Sequence, residues 1–208
     1  MLRNNLRRQV ARGFRYLLRP LGRYELSVLY ALDLEKPPVP SKSRIDVEIS
    51  IAGLGDADEI TAMNPYHGRH VIIDRMDAGV LCFVARIEEK IVGINWLALC
   101  KAQDDEFEIR LGVDEVYCLD ARVALPYRGR GIHHELLYRM LLHAHENGFR
   151  RAYTRVSAMN RDSWKAHVKM GWKEVGTTYF FQPKSHLPMR SALIGPQIYP
   201  LRCTFGAD

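Results

Sequence analysis

The hydrophobic positions near the start of the chain follow a helical period. Apolar residues recur every three or four positions from Leu2 to Leu21, and Pro20 marks the end of the pattern. This periodicity predicts a helix within residues 1–24.

The next segments change from a strand pattern to a linker. Residues 26–34 form a short apolar run that predicts a strand, whereas residues 35–41 contain three prolines that disfavour regular structure. We therefore expect a domain boundary here, with an N-terminal segment of residues 1–40 and a main domain of residues 41–208.

The main domain alternates between a period of two and a period of 3.6, which indicates a mixed αβ protein. Its early strands are joined by a short charged turn that predicts an antiparallel hairpin, and its later part reads as βαβα. The predicted strands are 45–51, 81–87, 91–99, 116–123, 151–157 and 175–181, and the predicted helices are 56–63, 132–147 and 160–170.

Composition changes this picture little. The 208 residues are 47% apolar and 26% charged, as in ordinary globular proteins, and no run approaches the ~20 apolar residues that span a bilayer. The cysteines stand far apart and form no metal-binding or disulfide pattern, so we expect reduced thiols, no metal site and a cytoplasmic location. They are Cys82, Cys100, Cys118 and Cys203.

The positive charge is concentrated at the N-terminus. Residues 1–24 carry seven arginines and no acidic residue, which accounts for the net charge of +6. A basic amphipathic helix is typical of contact with a membrane surface, although docking on its own domain or on a second subunit of a homodimer fits the same pattern. The near-neutral remainder argues against a specific nucleic-acid surface.

Candidate chemistry begins where the strand 116–123 ends. Two glycines, Gly129 and Gly131, permit a tight turn directly before an amphipathic helix, and the uncapped amides of a helix start favour a phosphate. A dinucleotide-binding loop is excluded because His134 replaces its third glycine, and a P-loop lacks its Gly-Lys-Ser/Thr. An ordinary glycine-rich turn remains the alternative.

A second group of polar residues lies on the predicted helix 160–170. Asn160, Ser163 and His167 are spaced three and seven positions apart, which places them on one helix face. One face can therefore present an amide, a hydroxyl and an imidazole to the same ligand.

These two segments together resemble the signatures of the GNAT acetyltransferase superfamily. The Arg-Gly-Arg-Gly-Ile run at 128–132 is similar to its pyrophosphate-binding motif, with His133 at a position where the family has a small residue, and the segment 160–172 is similar to its second motif. The resemblance implies an α+β fold with a mixed, mostly antiparallel twisted sheet flanked by helices on both faces. It also implies that acetyl-CoA, or another acyl-CoA, is bound by Val123, Arg128, Gly129, Arg130, Gly131, Ile132, His133, Asn160 and Ser163.

The resemblance also implies catalytic roles. His167 occupies the position of the tyrosine that protonates the departing thiolate, so it is either that acid or a contact that packs against the cofactor. The N–H of Val123 would serve the oxyanion or a pantetheine carbonyl. Strand alternation predicts that Glu115 and Tyr117 share the face of Val123, with Glu115 as a base or a solvated strand end and Tyr117 as a relay or substrate contact.

The sequence thus predicts direct transfer of an acetyl or other acyl group from coenzyme A to a primary amine of a small molecule. Two alternatives stay open: transfer to or from a lipid-linked or acyl-carrier substrate at a membrane surface, and a non-catalytic acyl-CoA-binding module. We expect the acceptor pocket to be built from the loop region 66–77 and the C-terminal segment 183–208, whose sequences identify no acceptor.

Overall fold

The computed structural model describes Gly13, Leu17 and residues 20–99, 101–104, 107–184, 190–194 and 202–205. Gly13 and Leu17 are helical, and the rest of the predicted N-terminal helix up to residue 19 lies outside the described residues. The structure agrees with the predicted end at Pro20, because a turn at residues 20–21 leads into a strand that starts at Gly22.

The described strands and α-helices agree with most of the pattern-based predictions. In chain order they are β1 (Gly22–Asp33), β2 (Glu48–Ile51), α1 (Ala57–Met63), α2 (Arg69–Asp77), β3 (Leu81–Ile87), β4 (Lys90–Ala98), β5 (Lys101–Asp104), β6 (Phe107–Arg110), β7 (Glu115–Val123), α3 (Ile132–Glu146), β8 (Arg151–Ser157), α4 (Arg161–Lys169), β9 (Lys173–Pro183), β10 (Arg190–Ile194) and β11 (Arg202–Phe205). No helix in the described ranges is long and apolar enough to cross a membrane.

The chain folds into two units that interleave along the sequence. Unit 1 contains the described residues of 1–32, 103–109 and 153–208, and unit 2 contains those of 33–102 and 110–152. Residue 40, where we expected a domain boundary, therefore lies within unit 2.

Unit 1 is organised around four neighbouring strands in the order β10-β9-β1-β8. β1 and β9 run antiparallel from the pair Gly22 and Pro183 to the pair Ala31 and Lys173, with an irregularity after Leu29. The apolar second half of β1 is buried, and Tyr30 is only 1% exposed. A separate three-stranded sheet has the order β11-β6-β5, and neither these three strands nor β10 was predicted.

Unit 2 has an antiparallel sheet in the order β7-β4-β3-β2. The predicted hairpin is confirmed: Ile87 pairs with Lys90, and Glu88 and Glu89 form the turn with φ of 48° and 67°. Positive φ at both central residues matches the right-handed twist of the strands they join. The helix α2, in contrast, was not predicted, because residues 66–77 were read as a loop.

A bulge in β7 reverses its side-chain alternation. Arg122 and Leu119 pair with Ile94 and Trp96, so three steps along β7 match two along β4, and Asp120 takes up the extra residue with φ of 50°. Val123 pairs with Gly93 and Tyr117 with Ala98, whose five-residue separation along β4 puts Val123 and Tyr117 on opposite faces. The prediction that Glu115, Tyr117 and Val123 share one face is therefore wrong.

Helices cover both faces of the unit 2 sheet. On one face, α3 comes so close to Gly93 that an added Cβ would lie 2.9 Å from Leu136 Cδ1. On the other face, the guanidinium of Arg75 in α2 lies 5.5 Å from the ring centroid of Trp96. The mixed, mostly antiparallel α+β architecture with helices on both faces is thus confirmed.

Candidate functional site

The anion loop, defined here as residues 128–133, joins β7 to the start of α3. A 3-10 turn over Leu125–Tyr127 precedes it, and its two glycines both have positive φ, 75° at Gly129 and 89° at Gly131. Gly131 is the N-cap of α3 and offers no capping side chain. Since the first amides of a helix have no partner within the helix, this start can donate to an anion at the positive end of the helix dipole.

Contacts within unit 2 fix the shape of the anion loop. The exposed side chain of Arg128 turns back, and its Nε donates to the carbonyl oxygen of Val123 over 2.9 Å. Just after Val123, the amide of Ala124 donates to the carbonyl oxygen of Val92 over 2.9 Å. The turn that leaves β7 is therefore held at its first residues, before the glycines reverse its direction.

A strap, defined as residues 42–44, lies against the start of α3. The amide of Arg44 donates to the carbonyl oxygen of Arg130 over 2.7 Å, and the amide of Ser43 donates to Oε2 of Glu135 over 2.7 Å. A Cβ on Gly131 would lie 3.2 Å from Cα of Ser43. Sequence reasoning missed the strap because its partners are about ninety positions away.

The second predicted group lies together on α4 in unit 1. Asn160 is the N-cap, and its Oδ1 accepts a hydrogen bond from the amide of Ser163 over 3.2 Å. The hydroxyl of Ser163 lies 3.4 Å from Nδ1 of His167. Asn160, Ser163 and His167 therefore form one connected set, as their spacing predicted.

The surroundings of His167 determine its tautomer. Its Nδ1 lies 2.7 Å from the carbonyl oxygen of Ser163, which can only accept, so Nδ1 carries a hydrogen and Nε2 is the second proton site. The residue is 5% exposed, and its ring packs at 6.3 Å from that of Tyr30 and 5.3 Å from that of Trp172. These rings hold the imidazole in one orientation.

The predicted base Glu115 and the predicted relay or substrate contact Tyr117 are both buried at the start of β7. Tyr117 is fully buried, and Glu115 is 2% exposed, which contradicts the alternative of a solvated strand end. Oε2 of Glu115 accepts from the amide of Gly112 over 2.9 Å, and Oε1 lies 3.7 Å from Nη1 of Arg151. Both carboxylate oxygens of Glu115 thus hold neighbouring parts of unit 2.

We expect Glu115→Ala to lower the free energy of unfolding by about 1–3 kcal/mol, because the buried carboxylate loses its hydrogen bond from the Gly112 amide and its ion pair with Arg151. Glu115→Gln keeps an acceptor oxygen and is expected to cost less. Chemical denaturation of both variants checks this order, and equal losses would contradict it.

The bulge in β7 brings together three residues that sequence reasoning did not select. Oδ2 of Asp120 lies 3.0 Å from Nε2 of His67 and 2.5 Å from Nη1 of Arg75. Nearby, the guanidinium of Arg122 lies 4.8 Å from the ring centroid of Tyr66. No spacing rule links these residues, since they come from the turn after α1, from α2 and from β7.

The buried cysteines of unit 2, Cys82 and Cys118, are poorly reactive. Burial raises the pKa of the Cys118 thiol far above its usual range, and burial is also the largest cause of the raised pKa of Cys82. Because the thiolate is the reactive form, neither thiol is suited to a covalent acyl intermediate at neutral pH. Direct transfer needs no such intermediate.

Comparisons with known proteins bear on the family and the fold. A family model described as Acetyltransferase (GNAT) family matches residues 55–172. No curated protein sequence is significantly similar to the chain.

Among solved structures, a GNAT-family protein from Novosphingobium aromaticivorans has a TM-score of 0.54 at 15% identity, covering 83% of this chain and 65% of its own. A GCN5-related N-acetyltransferase from Sphaerobacter thermophilus has a TM-score of 0.59 at 16% identity, covering 89% and 57%. AAC(6')-Iy, solved with the bisubstrate analogue CoA-S-monomethyl-acetylneamine, has a TM-score of 0.52 at 15% identity, covering 62% and 92%. This chain thus spans under two thirds of the first two proteins, and at such identities the likeness establishes the fold.

Proposed function

The chain belongs to the acetyltransferase (GNAT) family, and from that premise we propose that it transfers an acetyl or other acyl group from coenzyme A to a primary amine of a small molecule. The amine attacks the thioester directly. The solved complex of AAC(6')-Iy with a coenzyme A bisubstrate analogue supports an amine acceptor for this chain also.

The observation that carries the proposal is the start of α3. Gly131 caps the helix without a side chain, and its left-handed φ of 89° turns the chain so that the first helical amides follow the reversal directly. Such a start favours the pyrophosphate of coenzyme A, with Arg128 and Arg130 supplying exposed positive charge beside it. Val123 at the end of β7 would offer its N–H to the acyl oxygen.

The proposed general acid is His167. When the N–C bond forms and the C–S bond breaks, the leaving sulfur needs a proton, and an imidazolium can supply one near neutral pH. The carbonyl oxygen of Ser163 already engages Nδ1, so Nε2 is the atom that would give the proton. Asn160 and Ser163 are proposed to contact the pantetheine arm from the same helix.

The same test distinguishes this function from two alternatives. The seven arginines within residues 1–24 favour a variant of the reaction at an anionic membrane surface, with a lipid-linked or acyl-carrier substrate. A non-catalytic acyl-CoA-binding module would use the anion loop alone.

The test combines calorimetry with acetyl-CoA and an assay of free thiol over a panel of amines. We expect saturable binding together with amine-dependent thiol release. Binding without release for any amine would favour the module, and release only with acyl-carrier or vesicle-bound substrates would favour the membrane variant. Absence of acyl-CoA binding would refute the proposal.

A further inference from the structure

A cluster of three charged or titratable side chains, called here the His67 cluster, lies beside the bulge of β7. It consists of His67 from the turn after α1, Arg75 from α2 and Asp120 from the bulge. Their side chains are 26%, 14% and 24% exposed, so the cluster is shielded from bulk water yet open to a small molecule. It lies on the face of the unit 2 sheet that carries α2.

The contacts of the cluster define where His67 carries its proton. An ionised carboxylate only accepts, so the 3.0 Å contact with Oδ2 of Asp120 requires a hydrogen on Nε2 of His67. The Nη2 atom of Arg75 lies 3.4 Å from the same nitrogen. It makes no hydrogen bond there, because a protonated Nε2 has no lone pair to accept one. In the neutral imidazole, Nδ1 is consequently the atom that can accept a proton.

The backbone at Asp120 is held in a costly conformation. A non-glycine residue with φ of 50° is strained, and such strain persists only where surrounding contacts enforce it. Here the bulge turns the carboxylate toward His67, while Arg75 provides a second contact to the same oxygen. A strained residue that aims a carboxylate at an imidazole is an arrangement found where histidine acts as a base.

The position of the bulge suits the proposed reaction. Asp120 precedes Val123 by three residues, which is about 10 Å along a strand. The acyl oxygen is proposed to accept from the N–H of Val123, so an attacking amine and the side chain of His67, which contacts Asp120, would together span this distance.

Other charged groups around the cluster balance its charge. Asp120 and Arg75 face His67 with opposite charges, at 3.0 Å and 3.4 Å from its Nε2. Arg122 is occupied over the ring of Tyr66. On β3, Cys82 interacts electrostatically with Arg75 and Asp120 and also with Asp56 and Arg86, but its raised pKa keeps the thiol neutral.

We propose that His67 is the general base that removes the proton from the acceptor amine, and that Asp120 and Arg75 are positioning residues; this rests on the proposed acyl transfer. The nitrogen lone pair attacks the acyl carbon, the N–C bond forms as the C–S bond breaks, and the released N–H proton passes to Nδ1 of His67. Asp120 stabilises the resulting imidazolium through Nε2–H. A separate proton, from the general acid, completes the thiol.

The experiment compares His67→Gln and Asp120→Asn with His143→Gln, which removes a partly exposed histidine that packs on Phe83 from the C-terminal half of α3. For His67→Gln we expect kcat to fall about 100-fold or more with acetyl-CoA affinity unchanged, and the acidic limb of the kcat/KM profile to disappear. Asp120→Asn should give a smaller loss, and His143→Gln none.

Rescue separates a base from a structural role. Added imidazole should restore part of the activity of His67→Ala, since only a missing proton acceptor can be replaced from solution. Wild-type kcat and an unchanged acidic limb in His67→Gln, with intact acetyl-CoA binding, would overturn the assignment of His67 alone. If the wild-type protein itself binds no acetyl-CoA, the proposed function and this inference fall together.

Discussion

Replacing Gly131 with alanine is expected to weaken acetyl-CoA binding by about 10- to 100-fold, which corresponds to ~1.4–2.8 kcal/mol. A side chain is strained at φ of 89°, and its Cβ would also press on Cα of Ser43 at 3.2 Å. The backbone at the start of α3 must therefore shift, and the amides that face the pyrophosphate shift with it. Isothermal titration calorimetry with acetyl-CoA measures the effect.

The matched control is Gly148→Ala, at the other end of α3. Gly148 has a similar φ of 84°, but nothing lies within 4 Å of a Cβ placed there. Its substitution should lower stability through the same backbone strain and leave acetyl-CoA affinity unchanged. Equal loss of affinity in both variants would mean that the effect arises from general destabilisation, and the anion loop would lose its assigned role.

Removing the second proton site of His167 is expected to lower kcat by about 100-fold or more, the range for loss of a general acid. His167→Asn is the informative variant, because its side-chain amide can still donate to the carbonyl oxygen of Ser163. The ring is lost, and Nε2 with it. His167→Ala loses the same ring packing against Tyr30 and Trp172 and removes the donor to Ser163 as well.

The two variants separate catalysis from packing. If His167 is the acid, both slow transfer to a similar extent, while His167→Ala lowers the melting temperature further than His167→Asn, because it also loses the hydrogen bond to Ser163. Initial rates at saturating substrate and thermal unfolding provide the two readings. Full activity in His167→Asn would assign His167 to packing alone.

Local signals in the sequence were sufficient to place most elements. The helices α3 and α4 begin and end within one residue of the predicted bounds, 132–147 and 160–170, since capping depends on residues near each end. The helix α2 escaped detection because it has little amphipathic pattern, and Ile72 is its one buried residue. The hydrophobic periodicity of the sequence therefore could not identify this helix.

The same distinction between local and long-range signals applies to the residues of the candidate site. The anion loop and the set on α4 are continuous stretches of sequence, so their residue types and spacing sufficed to identify them. The bulge at Asp120 could not be predicted, because residues 115–123 read as an unbroken strand, and a one-residue shift reverses every later side chain. The His67 cluster depends on that shift and on α2, neither of which the sequence indicated.

The strap has a consequence for how this chain can vary in length. Residues 35–41 are Pro-rich and without regular structure, so an insertion there costs little more than the closure of a longer loop. Residues 42–44 tolerate no such change, because a shift of one position would move the Ser43 amide away from Glu135 and the Arg44 amide away from Arg130. Length variation among related chains should therefore stop abruptly at residue 42.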